Sequence, residues 1–216
     1  MARVALIGAT GLVGRTLAPL LVADGHQLLI LTRRPAGVSG AREVVAQMDA
    51  WPAALADEAV DIAISALGTT WRKSGSWERF AAVDRFAVTA FARAARDSGA
   101  RQMVSVSSVG ADPASRIAYL ALKGTVEADL AALGFARLDI VRPGLLRGER
   151  GPDRRTGERI GIALSPLVNP LLVGRLRRYR AIDAALVAAA IASLCERKEE
   201  GRFVYFNDSI TRLASR

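Results

Sequence analysis

The sequence predicts an α/β fold, a doubly wound parallel sheet of the Rossmann type with helices on both faces and a small C-terminal lid. Three observations predict it. Short apolar runs alternate with longer segments of helical periodicity. The runs are apolar at every position, as strands buried on both faces require. The first run passes into a glycine-rich turn that opens a helix.

Taken in order, RVALIG (3–8) predicts the first strand and LVGRTLAPLLVAD (12–24) the first helix. QLLILTRR (27–34) is a second strand, REVVAQ (42–47) a weaker third and VDIAISALG (60–68) a strong fourth. WERFAAVDRFAVTAFARAARDS (77–98) keeps an apolar stripe and has Gly99 just past its end, the signature of a helix with a C-terminal stop. RQMVSVSS (101–108) is strand, 115–134 helix despite Gly124, and RLDIVRP (137–143) strand. Beyond Pro143 a charged loop (147–159) and a Pro-broken apolar stretch read as a lid or substrate segment over 147–180. A helix (183–198) and a short strand (202–206) close a chain expected to form a single domain, 1–216.

Composition narrows the chemistry. One Cys (Cys195) excludes an internal disulfide, and one His (His26) leaves no cluster for a zinc site, so no metal is expected. The +9 charge comes from arginines scattered along the chain without a nucleic-acid motif, so nucleic-acid binding is not expected. The first apolar run enters a glycine turn instead of a cleavage site, and the later stretch 160–174 is interrupted by Pro166, Asn169 and Pro170. These features predict a cytoplasmic protein without a transmembrane segment. GRLRRYR (174–180) fits a basic lid edge, or a weaker contact with an anionic membrane.

GATGLVG places Gly8, Gly11 and Gly14 between strand and helix, where backbone can approach a pyrophosphate and the helix N-terminus supplies N–H groups and positive dipole. An NAD-specific site would carry an acid at the end of the second strand. Here that position reads LTRRP, and Arg33 and Arg34 suit a 2′-phosphate, which favours NADP(H) over NAD(H). Tyr119 and Lys123 stand four apart on a helix and share a face, in a chain with only three tyrosines and three lysines. An ammonium beside a phenol favours its ionised form and makes proton exchange at neutral pH easier. Ser107 or Ser108, at the end of the fifth strand, would polarise a carbonyl; adjacent on a strand, the two face opposite sides.

Glycine turn, strand-end serine and Y-x-x-x-K, together with LTRRP, SALGTT, VSSVGADPASRIAYLALKGTVEADL and VRPGLLRGER, resemble the short-chain dehydrogenase/reductase superfamily. More narrowly they resemble its atypical members grouped with the Tat-interacting oxidoreductase and its bacterial NAD(P)H-binding relatives. The resemblance covers nearly the whole chain to about residue 190. It implies that Gly8, Thr10, Gly11, Leu12, Val13 and Gly14 line the pyrophosphate and that Arg33, with Arg34, holds the 2′-phosphate. Leu67 and Gly68 would pass the ribose, and Pro143, Gly144 and Leu145 would flank the nicotinamide. Tyr119 would be the proton donor and acceptor and Lys123 its tuner, both touching the cofactor, with Ser108 the preferred serine. The chain departs from the superfamily at Asp84, near the place where the long fourth helix often carries Asn.

The expected function is an NADP(H)-dependent reductase of a small carbonyl or alcohol. The alternative is a catalytically weak, NADP(H)-loaded redox sensor acting through a protein partner. The apolar helices 77–98 and 115–134 leave room for a homodimer.

Overall fold

The computed structural model describes residues 1–68, 75–148 and 172–215. Strands β1 (Arg3–Ile7), β2 (Gln27–Thr32), β3 (Arg42–Val45), β4 (Ile62–Ser65), β5 (Gln102–Val106), β6 (Arg137–Val141) and β9 (Gly201–Tyr205) form one sheet in the order β3-β2-β1-β4-β5-β6-β9. Every pairing in it is parallel. Two short strands, β7 (Leu146–Arg147) and β8 (Ile182–Asp183), pair separately. The sheet changes direction of growth between β1 and β4, which is where open α/β sheets bind their ligands.

Alternation along β1 explains the unbroken apolar run. Val4 and Leu6 face one core, with α1 (Gly14–Ala23), α6 (Ala184–Leu194) and Ile210 of α7 (Asn207–Ala214). Ala5 and Ile7 face the other, with Trp51 and Leu55 of α2 (Trp51–Leu55), Phe91 of α4 (Val88–Asp97) and Val126 and Leu130 of α5 (Ala118–Ala132). Side chains of this size each contribute about 1.5–3 kcal/mol when removed from water. Such burial on both faces leaves no polar position from Val4 to Ile7, and only Arg3, at the exposed start of the strand, is charged.

Two sequence-predicted elements change shape. The helix expected over 77–98 runs as α3 (Trp77–Ala81), a π-helical stretch (Ala82–Ala87) and then α4. Its start is capped by Ser76, whose Oγ accepts from the Arg79 N–H at 3.3 Å. The helix expected from 115 starts at Ala118, because Ser115 Oγ instead accepts the Ile117 N–H at 3.2 Å in a local turn. Gly124 inside α5 has a packing reason: a methyl there would run into the backbone of Asp112 and Pro113. Most of the expected lid, 149–171, lies outside the described residues, and its last part, Gly174–Tyr179, is a 3-10 helix.

Candidate active site

The glycine turn is built by close backbone approach. Gly8 has φ +88°, and a side chain there would strike the Ala66–Leu67 peptide just beyond β4. A methyl on Gly14 would occupy the Gly8 carbonyl and lie 2.8 Å from Ala9 Cα. Gly11 donates its N–H to the Gly8 carbonyl at 2.9 Å, whereas the N–H groups of Leu12, Val13 and Gly14 meet no acceptor among the described residues. Three spare donors at the positive end of a ten-residue helix fit a pyrophosphate. Gly14→Ala is expected to cost about 1–3 kcal/mol through this clash and to weaken nucleotide binding. Thermal unfolding with and without NADPH measures both effects.

Arg33 and Arg34 are exposed just after β2 and make no ion pair among the described residues. The Thr32 hydroxyl ties the strand end down by donating to the Arg34 carbonyl at 2.7 Å.

On α5, Tyr119 is half-buried, its ring centroid 5.8 Å from that of Phe80. One turn on, Lys123 is 5% exposed and its Nζ lies 2.8 Å from Oδ1 of Asp84, which is fully buried in the π-helical stretch. The wider turn of that stretch brings Asp84 onto α5. Burial alone would pull Lys123 down, but the charges of Asp84 and Tyr119 and the Asp84 hydrogen bond hold its pKa above the ordinary lysine value. Lys123 stays cationic. Gly68 borders the pair: a side chain begun there would come 3.7 Å from Asp84 Oδ1 and 3.8 Å from Lys123 Nζ. Residues 66–68 thus touch the glycine turn on one side and the Lys123–Asp84 pair on the other.

The two serines separate as their facing predicts. Ser107 is buried and its hydroxyl donates to Glu127 Oε1 at 2.5 Å, while Ser108 is half-buried and makes one long bond, 3.3 Å, to the Val109 carbonyl. Glu127, 2% exposed, also receives Arg142 through Nε (2.8 Å) and Nη2 (2.5 Å). This buried carboxylate joins α5 to the chain after β5 and to the chain after β6. Pro143 follows Arg142 and accepts the Val109 N–H at 3.1 Å; Gly144 donates to Asn207 Oδ1 at 3.0 Å; Leu145 is 39% exposed.

Sequence reasoning had no role for Glu127, Arg142 or Asn207, and it named Asp84 only as a departure. For Glu127 a signal existed, since Tyr119, Lys123 and Glu127 repeat at intervals of four. For Asn207 there was none. A second network, in which Asp139 accepts from Gln102, Arg137 and Tyr205, ties β5, β6 and β9 together. Burial, with Asp139 adding to it, pushes the Tyr205 hydroxyl up to about 12.

Comparison with known proteins accords with this geometry. A family model described as NAD(P)H-binding matches residues 8–169. The protein named fmp52, mitochondrial, of Emericella nidulans is 39% identical over 165 residues, 71% of each chain. The FMP52, mitochondrial, protein of Candida albicans is 34% identical over 197 residues, 87% of this chain and 86% of that one. In fold, the chain is similar to the Bordetella bronchiseptica enzyme WbmH in complex with NAD+, with TM-score 0.73 at 13% identity over 100% of this chain and 80% of the other. The relatives' names overturn the expectation of a cytoplasmic protein. That expectation rested on the lack of an export signal and of a spanning segment, which tests export and insertion but not entry into an organelle. By matched sequence, sheet order and glycine turn, the chain belongs to the NAD(P)H-binding family and is an atypical short-chain dehydrogenase/reductase with a Rossmann fold.

Proposed function

We propose that the protein is an NADP(H)-dependent oxidoreductase acting on a small carbonyl or alcohol. The observation that carries this is the segment 66–68, which has the glycine turn on one side and the Lys123–Asp84 pair, one turn from Tyr119, on the other. In this reading the free N–H groups of Leu12, Val13 and Gly14 bind the pyrophosphate, with Gly8, Thr10 and Gly11 shaping the turn. Arg33, with Arg34, binds the 2′-phosphate. Leu67 and Gly68 line the ribose side, and Pro143, Gly144 and Leu145 the nicotinamide side. A nicotinamide nucleotide bound there supplies the hydride for reduction and accepts it for oxidation.

The chain's own groups handle the oxygen. Ser108 donates a hydrogen bond to the substrate oxygen, and Tyr119 gives it a proton as the carbonyl carbon gains hydride. Lys123, held cationic, stabilises the resulting phenolate and bonds the ribose. Ser107 keeps its bond to Glu127 and takes no part.

Nucleotide preference is tested by titrating NADPH and NADH and following nicotinamide fluorescence, and activity by screening a carbonyl panel for NADPH oxidation. Bonds from a guanidinium to a phosphate are worth about 1.5–3 kcal/mol, so NADPH should bind at least about tenfold more tightly than NADH. Arg33→Ala should remove most of that preference. Equal affinity for the two nucleotides would sink the NADP assignment. The redox-sensor reading has its own observation: Asp84 takes up the Lys123 charge and leaves less of it for Tyr119. Tight NADPH binding without turnover on any carbonyl would favour it.

A further inference from the structure

A cavity of about 430 Å³ lies between the chain that leaves β6 and the start of α7. Its described lining includes Arg147, Arg177, Arg180 and Arg212, with Asp183 and Asp208. Each aspartate already serves one arginine: Arg147 Nε is 3.3 Å from Asp183 Oδ1, and Arg177 Nη1 is 3.8 Å from Asp208 Oδ2. Arg180 and Arg212 have no carboxylate partner among the described residues; the one side-chain bond of Arg180 runs from Nε to the Leu172 carbonyl at 2.9 Å. Four guanidinium groups against two carboxylates leave a concave surface with an excess of two positive charges. Such a surface concentrates anions, and guanidinium forks match the oxygens of carboxylate and phosphate.

The cavity is also joined to the candidate active site. Asn207, 5% exposed, lines it, accepts the Gly144 N–H at 3.0 Å and donates to the Arg180 carbonyl. The Ile182 N–H donates to the Leu145 carbonyl at 2.9 Å. One short loop therefore separates the arginines from the segment assigned to the nicotinamide. The volume suits a small organic molecule and not a lone ion.

We propose that this cavity binds the anionic group, a carboxylate or a phosphate, of the protein's small-molecule substrate. The word substrate rests on the oxidoreductase reading; anion binding in the cavity does not. The test is calorimetric titration of the full chain with malonate and with inorganic phosphate, at constant ionic strength and with saturating NADP+ to cover the nucleotide's own phosphate sites. The wild type should bind one of the two, and the tighter one identifies the group. Arg180→Gln/Arg212→Gln should weaken that binding at least about tenfold with NADP+ affinity unchanged within about twofold. Arg212→Gln alone, at an exposed position, serves if the double variant does not fold, and should weaken binding at least about threefold. The proposal falls if the wild type binds neither anion or if the variants bind as tightly as the wild type. It falls equally if Arg93→Gln, an exposed charge on α4, weakens binding as much, because net charge alone would then account for the effect. Failure of NADP+ to bind would instead strike the nucleotide reading, and the Arg212→Gln comparison would still decide the anion site.

Discussion

Asp84→Ala is expected to destabilise the protein by about 3–5 kcal/mol, because it leaves Lys123 buried without its counter-charge. The pH dependence carries the sign. In the wild type the folded Lys123 titrates above the ordinary lysine value of 10.5. Its stabilising contribution is therefore fully present below that pH and is lost as pH rises through the higher folded value. In the variant, burial is no longer opposed by Asp84 and the folded pKa drops below 10.5. The unfolded chain then binds more protons than the folded one, and stability rises with pH across that window. Denaturant unfolding at several values between pH 7 and 10 compares the two. A variant whose stability follows the wild-type slope would show that Asp84 is not what keeps Lys123 charged.

Tyr119→Phe should lower turnover of any accepted carbonyl by about 10²- to 10⁴-fold, the range for removing a positioned acid. Phenylalanine keeps the ring that packs against Phe80, so the fold and the affinity for NADPH should change little. The split between rate and binding is the diagnostic, read from kcat and from the fluorescence Kd. If turnover survives the change, the proton comes from another group and the role assigned to Tyr119 is wrong.

The strands and their parallel pairing were legible because a strand buried on both faces writes itself as an unbroken apolar run, as in Val4–Ile7 and Ile62–Ile64. Ends were less so. The run 60–68 stops being strand after Ser65, where the chain must pass under Gly8, a constraint that comes from another part of the molecule. Asn207–Ala214 was missed as a helix although Ile210, Leu213 and Ala214 stand at helical spacing and pack on the core, because eight residues make barely two turns, too short a window for a firm periodic signal. The glycines and the Tyr119–Lys123 spacing could be read locally, because backbone approach and helix geometry are local. The pairing of Lys123 with Asp84 depends on a π-helical turn, and the binding of Arg142 to Glu127 on strand order, neither of which leaves a pattern in neighbouring residues.

The reversal of strand order between β1 and β4 has a consequence for how ligand and stability are tied together. The sheet is two half-sheets, one grown outward from β1 through β2 and β3, the other from β4 through β5, β6 and β9. They share a single seam, and the glycine turn stands on one lip of it while Gly68, Lys123 and Asp84 stand on the other. A nucleotide held as proposed would lie across that seam and staple together halves that are otherwise joined by one strand pairing and the helices above it. Anything that binds only the closed sheet adds RT ln(1 + [L]/Kd) to its stability, about 2.7 kcal/mol at a hundredfold excess over Kd. In the proposed binding mode the nucleotide would be a structural member of the protein as well as a reagent, tying the two half-sheets together along the line where it binds.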